Sequence, residues 1–157
     1  MKKLRILILC TGNSARSQMA EGLLRSLGEG RLDVVSAGTE PSFVRPEAIA
    51  AMAELGVDIS GQYSKPASDF ANQAFDLVLT VCDNARESCP VYPGAKRLIH
   101  HSFEDPAQAA GAETERLAAF RRVRDQIRAY LEVDLLPTLL IQSPTDDTGK
   151  SSAARKL

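Results

Sequence analysis

An apolar run ending on a cysteine, then an arginine six positions later, then a helical pattern: this stretch constrains the chain more than any other. Leu4-Arg5-Ile6-Leu7-Ile8-Leu9 reads as a buried strand, with the near-continuous apolar character of a parallel sheet. Cys10-Thr11-Gly12-Asn13-Ser14-Ala15-Arg16-Ser17 follows directly. Over residues 17–27, Met19, Leu23, Leu24 and Leu27 then fall on one helical stripe. A loop bent between a strand and a helix lets successive backbone N–H groups converge on one tetrahedral oxyanion. The helix adds its positive N-terminal end, and Arg16 adds a planar fork of donors that matches two oxygens of such an anion. All three features favour the thiolate of Cys10, the nucleophilic form. The competing reading is a buried structural cysteine with Arg16 on a solvated face. Strand-end loops of α/β sheets are where ligands bind, which favours the first.

The rest of the chain supplies the sheet this loop needs. Residues 32–37 read as a second strand closed by Gly38, and Pro46 suits a helix start that runs to Gly56. Residues 61–66 read as a loop, followed by a short helix ending near Asn72. Asp76-Leu77-Val78-Leu79-Thr80-Val81 is a third strand running into Cys82, and residues 96–100 make a fourth. Residues 83–89 are polar, a short helix or a loop closed by Pro90 and Pro93. Residues 114–131 form the longest helix, with Leu117, Phe120, Val123, Ile127 and Leu131 at spacings of three and four. Beyond Pro137, residues 139–141 add a short docking contact.

Strands alternating with helices predict an α/β fold: one domain over residues 1–141, a four-stranded parallel sheet with helices on both faces. Residues 142–157, polar and without periodicity, are expected to form a disordered tail.

A net charge of −1 leaves no electrostatic footprint for nucleic acid. The opening apolar run is too short to span a bilayer and has no cleavage-site pattern after it. The expectation is a cytoplasmic monomer that engages neither nucleic acid nor membrane.

Three cysteines, Cys10, Cys82 and Cys89, make an odd number for a disulfide scaffold. Cys10 and Cys82 each follow a strand immediately, so parallel topology puts both on one sheet edge. If the two strands are neighbours, about 4.8 Å apart, the thiols approach disulfide distance with modest movement. Six residues separate Cys82 from Cys89. An intact helix would hold their Cα atoms about 10.5 Å apart, so that pair closes only if the segment is irregular or unwinds. Small core cysteines remain an alternative. So does a zinc site with His100 and His101, against which the spacing argues; the histidine pair reads better as loop structure. Asp105-Pro106 falls on the loop after the fourth strand. There an aspartate either caps a turn or donates a proton to an oxygen leaving the attacked centre.

The electron count separates reaction types. Hydrolysis of a phosphate ester needs one thiol. Reduction of arsenate to arsenite needs two electrons, which two thiols supply by becoming a disulfide, and a third thiol can carry that disulfide away by exchange. One cysteine in the anion loop and two beyond it fit reduction.

With these residues in place the chain resembles the thioredoxin-coupled arsenate reductases, which share the fold of low-molecular-weight protein tyrosine phosphatases. The resemblance covers about residues 4–132. It rests on Cys10 to Ser17, Gln18-Met19-Ala20-Glu21, Ser36-Ala37-Gly38, Cys82 with Cys89-Pro90, Asp105-Pro106 and Phe120-Arg121-Arg122-Val123-Arg124-Asp125. It implies that Cys10 attacks arsenate held by Thr11, Gly12, Asn13, Ser14, Ala15, Arg16 and Ser17. Arg16 orients the anion, Asp105 protonates the departing oxygen, and Ser17 supports the thiolate. It further implies that Cys82 attacks Cys10 to release arsenite and that Cys89 then attacks Cys82. The resulting disulfide is presented to thioredoxin, the source of reducing equivalents, and no cofactor is bound. Phosphate and sulfate are expected competitors.

Some members hold potassium at positions matching Asn13, Glu21 and Ser36 plus an aspartate. This chain has Lys65 in place of that aspartate, so neither potassium nor any other metal is expected. A phosphatase is the alternative enzyme, although the aromatic pair that phosphatases of this fold carry after the Asp-Pro loop is missing. A non-catalytic oxyanion or redox sensor is the alternative outside enzymes.

Overall fold

The computed structural model describes residues 3–82 and 92–141. Four strands, β1 (Leu4–Cys10), β2 (Leu32–Gly38), β3 (Leu77–Thr80) and β4 (Leu98–His100), form one parallel sheet in the order β2-β1-β3-β4. The register aligns Cys10 with Gly38 and Leu9 with Thr80. The strands leading into Cys10 and Cys82 are therefore direct neighbours, as the sheet-edge argument required.

Alternate residues of β1 face two separate cores. Ile6, Ile8 and Cys10 join the larger one with Leu77, Leu79 and Val81, covered by α1 (Arg16–Gly28), α2 (Pro46–Ala53) and α3 (Glu113–Tyr130). Leu7, Leu9, Phe75, Val78 and Tyr92 form the smaller core on the opposite face, against the short 3₁₀ helix Ala67–Phe70. A central strand buried on both faces has no polar alternation, which is why residues 4–9 read as a continuous apolar run.

The elements match their sequence signals closely until the C-terminal end. The expected stop of the long helix at Leu131 is a correction. The chain continues through a π-helical turn (Leu131–Leu135) into α4 (Leu136–Ile141), with Pro137 inside it. The N–H of Leu136 bonds to the carbonyl of Leu131, five residues back. Widening the helix just before Pro137 makes room for the ring, which would otherwise crowd the carbonyl four residues earlier. Leu131, Leu135, Leu136 and Leu139 are all buried in the main core, and that burial offsets the irregular turn.

Three expectations fall outside the described residues: the short helix or loop over 83–89, the position of Cys89, and the disordered tail over 142–157.

Candidate active site

The loop between β1 and α1 is shaped by where its carbonyls go. The carbonyl of Cys10 accepts the N–H of Thr39 (3.3 Å), Thr11 that of Glu40 (2.8 Å), Gly12 that of Ser42 (3.1 Å) and Ser14 that of Arg45 (2.9 Å). The carbonyl of Asn13 accepts Gln18 Nε2 at 3.0 Å and Ser64 Oγ at 2.7 Å. In a trans peptide the C=O of one residue and the N–H of the next point in opposite directions, and no described peptide is cis. With five consecutive carbonyls tied outward, the N–H groups of Thr11 through Ala15 face the interior of the loop, toward the start of α1. This arrangement fits the convergent cradle expected from the sequence, and four of the carbonyl ties come from the segment over residues 39–45.

Asn13 is the lock. It is fully buried, with φ at 50° in the left-handed region where asparagine is one of the few tolerated side chains. Its Nδ2 donates to Ser17 Oγ (2.8 Å) and Ser36 Oγ (2.9 Å), and its Oδ1 accepts the N–H of Lys65 (2.9 Å). Ser17, expected to support the thiolate, is thus held by Asn13. Behind it, Ser36 Oγ donates to Glu21 Oε1 (2.6 Å), and Arg25 bonds the other oxygen of Glu21 at 2.5 Å. Lys65 Nζ lies 3.9 Å from Glu21 Oε1 and donates to the carbonyl of Tyr63 at 2.9 Å. Burial pushes the Lys65 pKa down, against the pull of the Glu21 carboxylate. The Lys65 amine faces the Glu21 carboxylate at the position that matches the potassium-binding aspartate of some family members. Among the described residues, no group of three or more His, Cys, Asp or Glu is placed to hold a metal.

Cys10 and Cys82 are both buried thiols, neither in a disulfide. Arg16 is 3% exposed. Its guanidinium donates to the carbonyl of Phe103 at 3.3 Å and lies 3.6 Å from the carboxylate of Asp105. Asp105 also caps the 3₁₀ turn Pro106–Gln108, accepting the N–H of Ala107 at 3.0 Å. The turn-capping reading of Asp105 is borne out, and the same carboxylate stands beside Arg16, a placement compatible with the proton-donor reading. Thr11 Oγ1 is buried without a hydrogen-bond partner. A buried hydroxyl left unmatched in a loop lined by amides fits a polar ligand. His101 packs against Phe103 and Tyr130, at centroid distances of 4.7 Å and 4.0 Å, a structural role for this member of the histidine pair.

Pattern reading missed the residues that brace the loop from outside: the 39–45 segment, Ser64, the backbone N–H of Lys65, and the roles of Gln18 and Glu21. Gln18 and Glu21 are polar yet buried on a helix read only for its apolar stripe. At about 100° per residue both fall off that stripe, so helical periodicity carried no signal for them and only the family resemblance pointed to Gln18-Met19-Ala20-Glu21.

The chain and its fold have close counterparts. Residues 5–139 match the family described as low molecular weight phosphotyrosine protein phosphatase. An arsenate reductase of Halalkalibacterium halodurans is 48% identical over 127 residues, 81% of this chain and 91% of that protein. One from Bacillus subtilis is 48% identical over 123 residues, 78% and 88% respectively. Among solved structures, an arsenate reductase in the phosphate binding state superimposes with a TM-score of 0.71 at 37% identity, covering 82% of this chain and 94% of that one. A thioredoxin-dependent arsenate reductase of Corynebacterium glutamicum gives 0.60 at 27% identity, covering 83% and 61%.

Proposed function

The chain belongs to the low molecular weight phosphotyrosine protein phosphatase family and, within it, to the arsenate reductases, and from that premise we propose that it reduces arsenate to arsenite through a three-cysteine relay. The observation that carries this reading is the inward-facing amide cradle above buried Cys10, with Arg16 beside Asp105 and Cys82 at the end of the adjoining strand.

Arsenate enters the cradle, where the N–H groups of Thr11 through Ala15 and the Arg16 guanidinium take its charge. Cys10 Sγ bonds to arsenic, and Asp105 protonates the oxygen that departs as water. Cys82 Sγ then attacks Cys10 Sγ. The sulfur–arsenic bond breaks and its electron pair stays on arsenic, which leaves as arsenite. The two electrons come from the two thiols, now a Cys10–Cys82 disulfide. Cys89 attacks Cys82 and frees Cys10, and the Cys82–Cys89 disulfide is reduced by the dithiol of thioredoxin. Phosphate and sulfate, being tetrahedral oxyanions, compete for the same amides. Every group named comes from one chain, so a monomer suffices, and a reducing cytoplasm suits three thiols. No helix among the described residues is long and apolar enough to cross a membrane.

Cys89→Ser is the discriminating experiment. Attack by Cys10 and resolution by Cys82 need nothing from position 89, so one arsenite per enzyme is expected, with a Cys10–Cys82 disulfide in the product. Multiple turnover with thioredoxin, thioredoxin reductase and NADPH stops, while a phosphatase would be indifferent. Sustained turnover by Cys89→Ser refutes the relay. Replacing the thioredoxin system by glutaredoxin and glutathione tests the donor, and equal or faster turnover there removes thioredoxin from the proposal.

A further inference from the structure

The strand end that leads into Cys82 is tied to both neighbouring strands by backbone bonds. The N–H of Val81 reaches the carbonyl of Leu9 at 3.0 Å, and the N–H of His101 reaches the carbonyl of Thr80 at 3.0 Å. A chain of side chains adds to these backbone ties. Thr80 is 3% exposed, and its Oγ1 is 2.6 Å from Nδ1 of His100, its register partner on β4. Nε2 of His100 is 2.9 Å from Ser102 Oγ. Ser102 adjoins Phe103, whose carbonyl receives Arg16, and Asp105 beside Arg16 follows two residues later.

We propose that Thr80, His100 and Ser102 form a brace that positions Cys82 relative to the Arg16–Asp105 pair, so that the resolving thiol and the acid loop keep one geometry. The proposal rests on the reductase reading and deepens it. Thr80, His100 and Ser102 are positioning residues and touch no reacting atom.

The choice of residues supports the assignment. A buried strand position facing an apolar core favours valine, which needs no partner; threonine there brings a hydroxyl that must be bonded. The partner it finds is an exposed histidine on a three-residue edge strand, a place where a hydrogen bond adds little to global stability. The imidazole has hydroxyl oxygens at both ring nitrogens, and each hydroxyl both donates and accepts. Either neutral tautomer therefore completes the chain.

The test separates oxyanion binding from resolution. Thr80→Val keeps the shape and removes the hydroxyl. With arsenate in single turnover, formation of the Cys10–Cys82 disulfide, followed by peptide mass, is expected to slow about tenfold, the loss of one hydrogen bond expressed as a rate. Phosphate affinity for the cradle stays within about twofold, because the carbonyl ties of residues 10–14 are untouched, and Thr80→Ser restores the rate. Ser102→Ala, at an exposed position, carries the same test if Thr80→Val fails to fold, with about threefold slowing expected. Wild-type resolution rates in the variants overturn the brace, as does a loss of phosphate affinity in step with the rate. A wild-type enzyme that forms no Cys10–Cys82 disulfide with arsenate overturns the reductase reading and the brace with it.

Discussion

Gly38 is the position where one methyl group should open the oxyanion cradle. A Cβ there would lie 2.5 Å from the carbonyl oxygen of Thr11, and 3.0 Å from both the backbone nitrogen and the Cβ of Asn13. Ordinary C···O contacts are about 3.3–3.6 Å, so roughly 1 Å of movement is required. β2 is poorly placed to supply it, since Gly38 is in register with Cys10 and its N–H is bonded to the carbonyl of Lys65 at 2.9 Å. The loop must move, and a shift of that size takes an amide out of hydrogen-bonding range of a bound anion. Each bond to a charged group is worth about 1.5–3 kcal/mol, so losing one weakens phosphate binding roughly 10- to 150-fold. Overpacking adds about 1–3 kcal/mol of instability, or roughly 2–12 °C in Tm.

The assay is phosphate titration by calorimetry beside thermal unfolding of Gly38→Ala. Gly30→Ala serves as control, because it sits at φ +85° with nothing within 4 Å of a new Cβ. That control carries backbone strain alone and should bind phosphate normally. A folded Gly38→Ala protein with wild-type phosphate affinity would show that the cradle does not depend on the close approach of β2.

Two further outcomes are expected. Cys10→Ser abolishes arsenite release and leaves phosphate affinity within about threefold, since the amides and Arg16 supply most of the binding; arsenite production by the variant would reassign the nucleophile. Lys65, with its pKa held below the ordinary 10.5 by burial, binds its proton less tightly in the folded than in the unfolded chain. The stability this group allows is complete above pH 10.5 and is lost as pH falls through the lowered value. Denaturant melts should therefore gain stability from neutral pH toward pH 10, and Lys65→Met should flatten that rise.

The sheet and its parallel sense were legible because a doubly buried strand leaves an unbroken apolar run and a loop motif marks its end, whereas the adjacency of the strands ending at Cys10 and Cys82 was a condition that the strand order meets. Arg16 and Asp105 were legible as candidates, although only the folded chain brings them within 3.6 Å. The continuation past Leu131 was hidden because Pro137 ordinarily stops a helix, and a π turn is a tertiary solution driven by burial of Leu135, Leu136 and Leu139. The braces of the loop were hidden for another reason. Thr39, Glu40, Ser42 and Arg45 act through backbone N–H groups, which every residue but proline possesses, so side-chain pattern carries no trace of them.

Bracing through the backbone explains why the cysteine-to-arginine spacing is weak as a motif and stronger as a proposed site. An inward-facing row of amides leaves its carbonyls pointing outward, and buried carbonyls must be bonded. The loop cannot bond them itself. Their partners come from residues 39–45, from Ser64 and from Gln18 of α1, while Asn13 is fixed by Ser17, Ser36 and Lys65. Each partner belongs to a segment placed by the sheet or by its crossovers. The same octapeptide in a chain without these segments would turn its carbonyls to water and relax. The proposed anion site is thus a property of the whole α/β domain, and substitutions at Gly38 or Thr80 are expected to change the chemistry although neither residue touches arsenic.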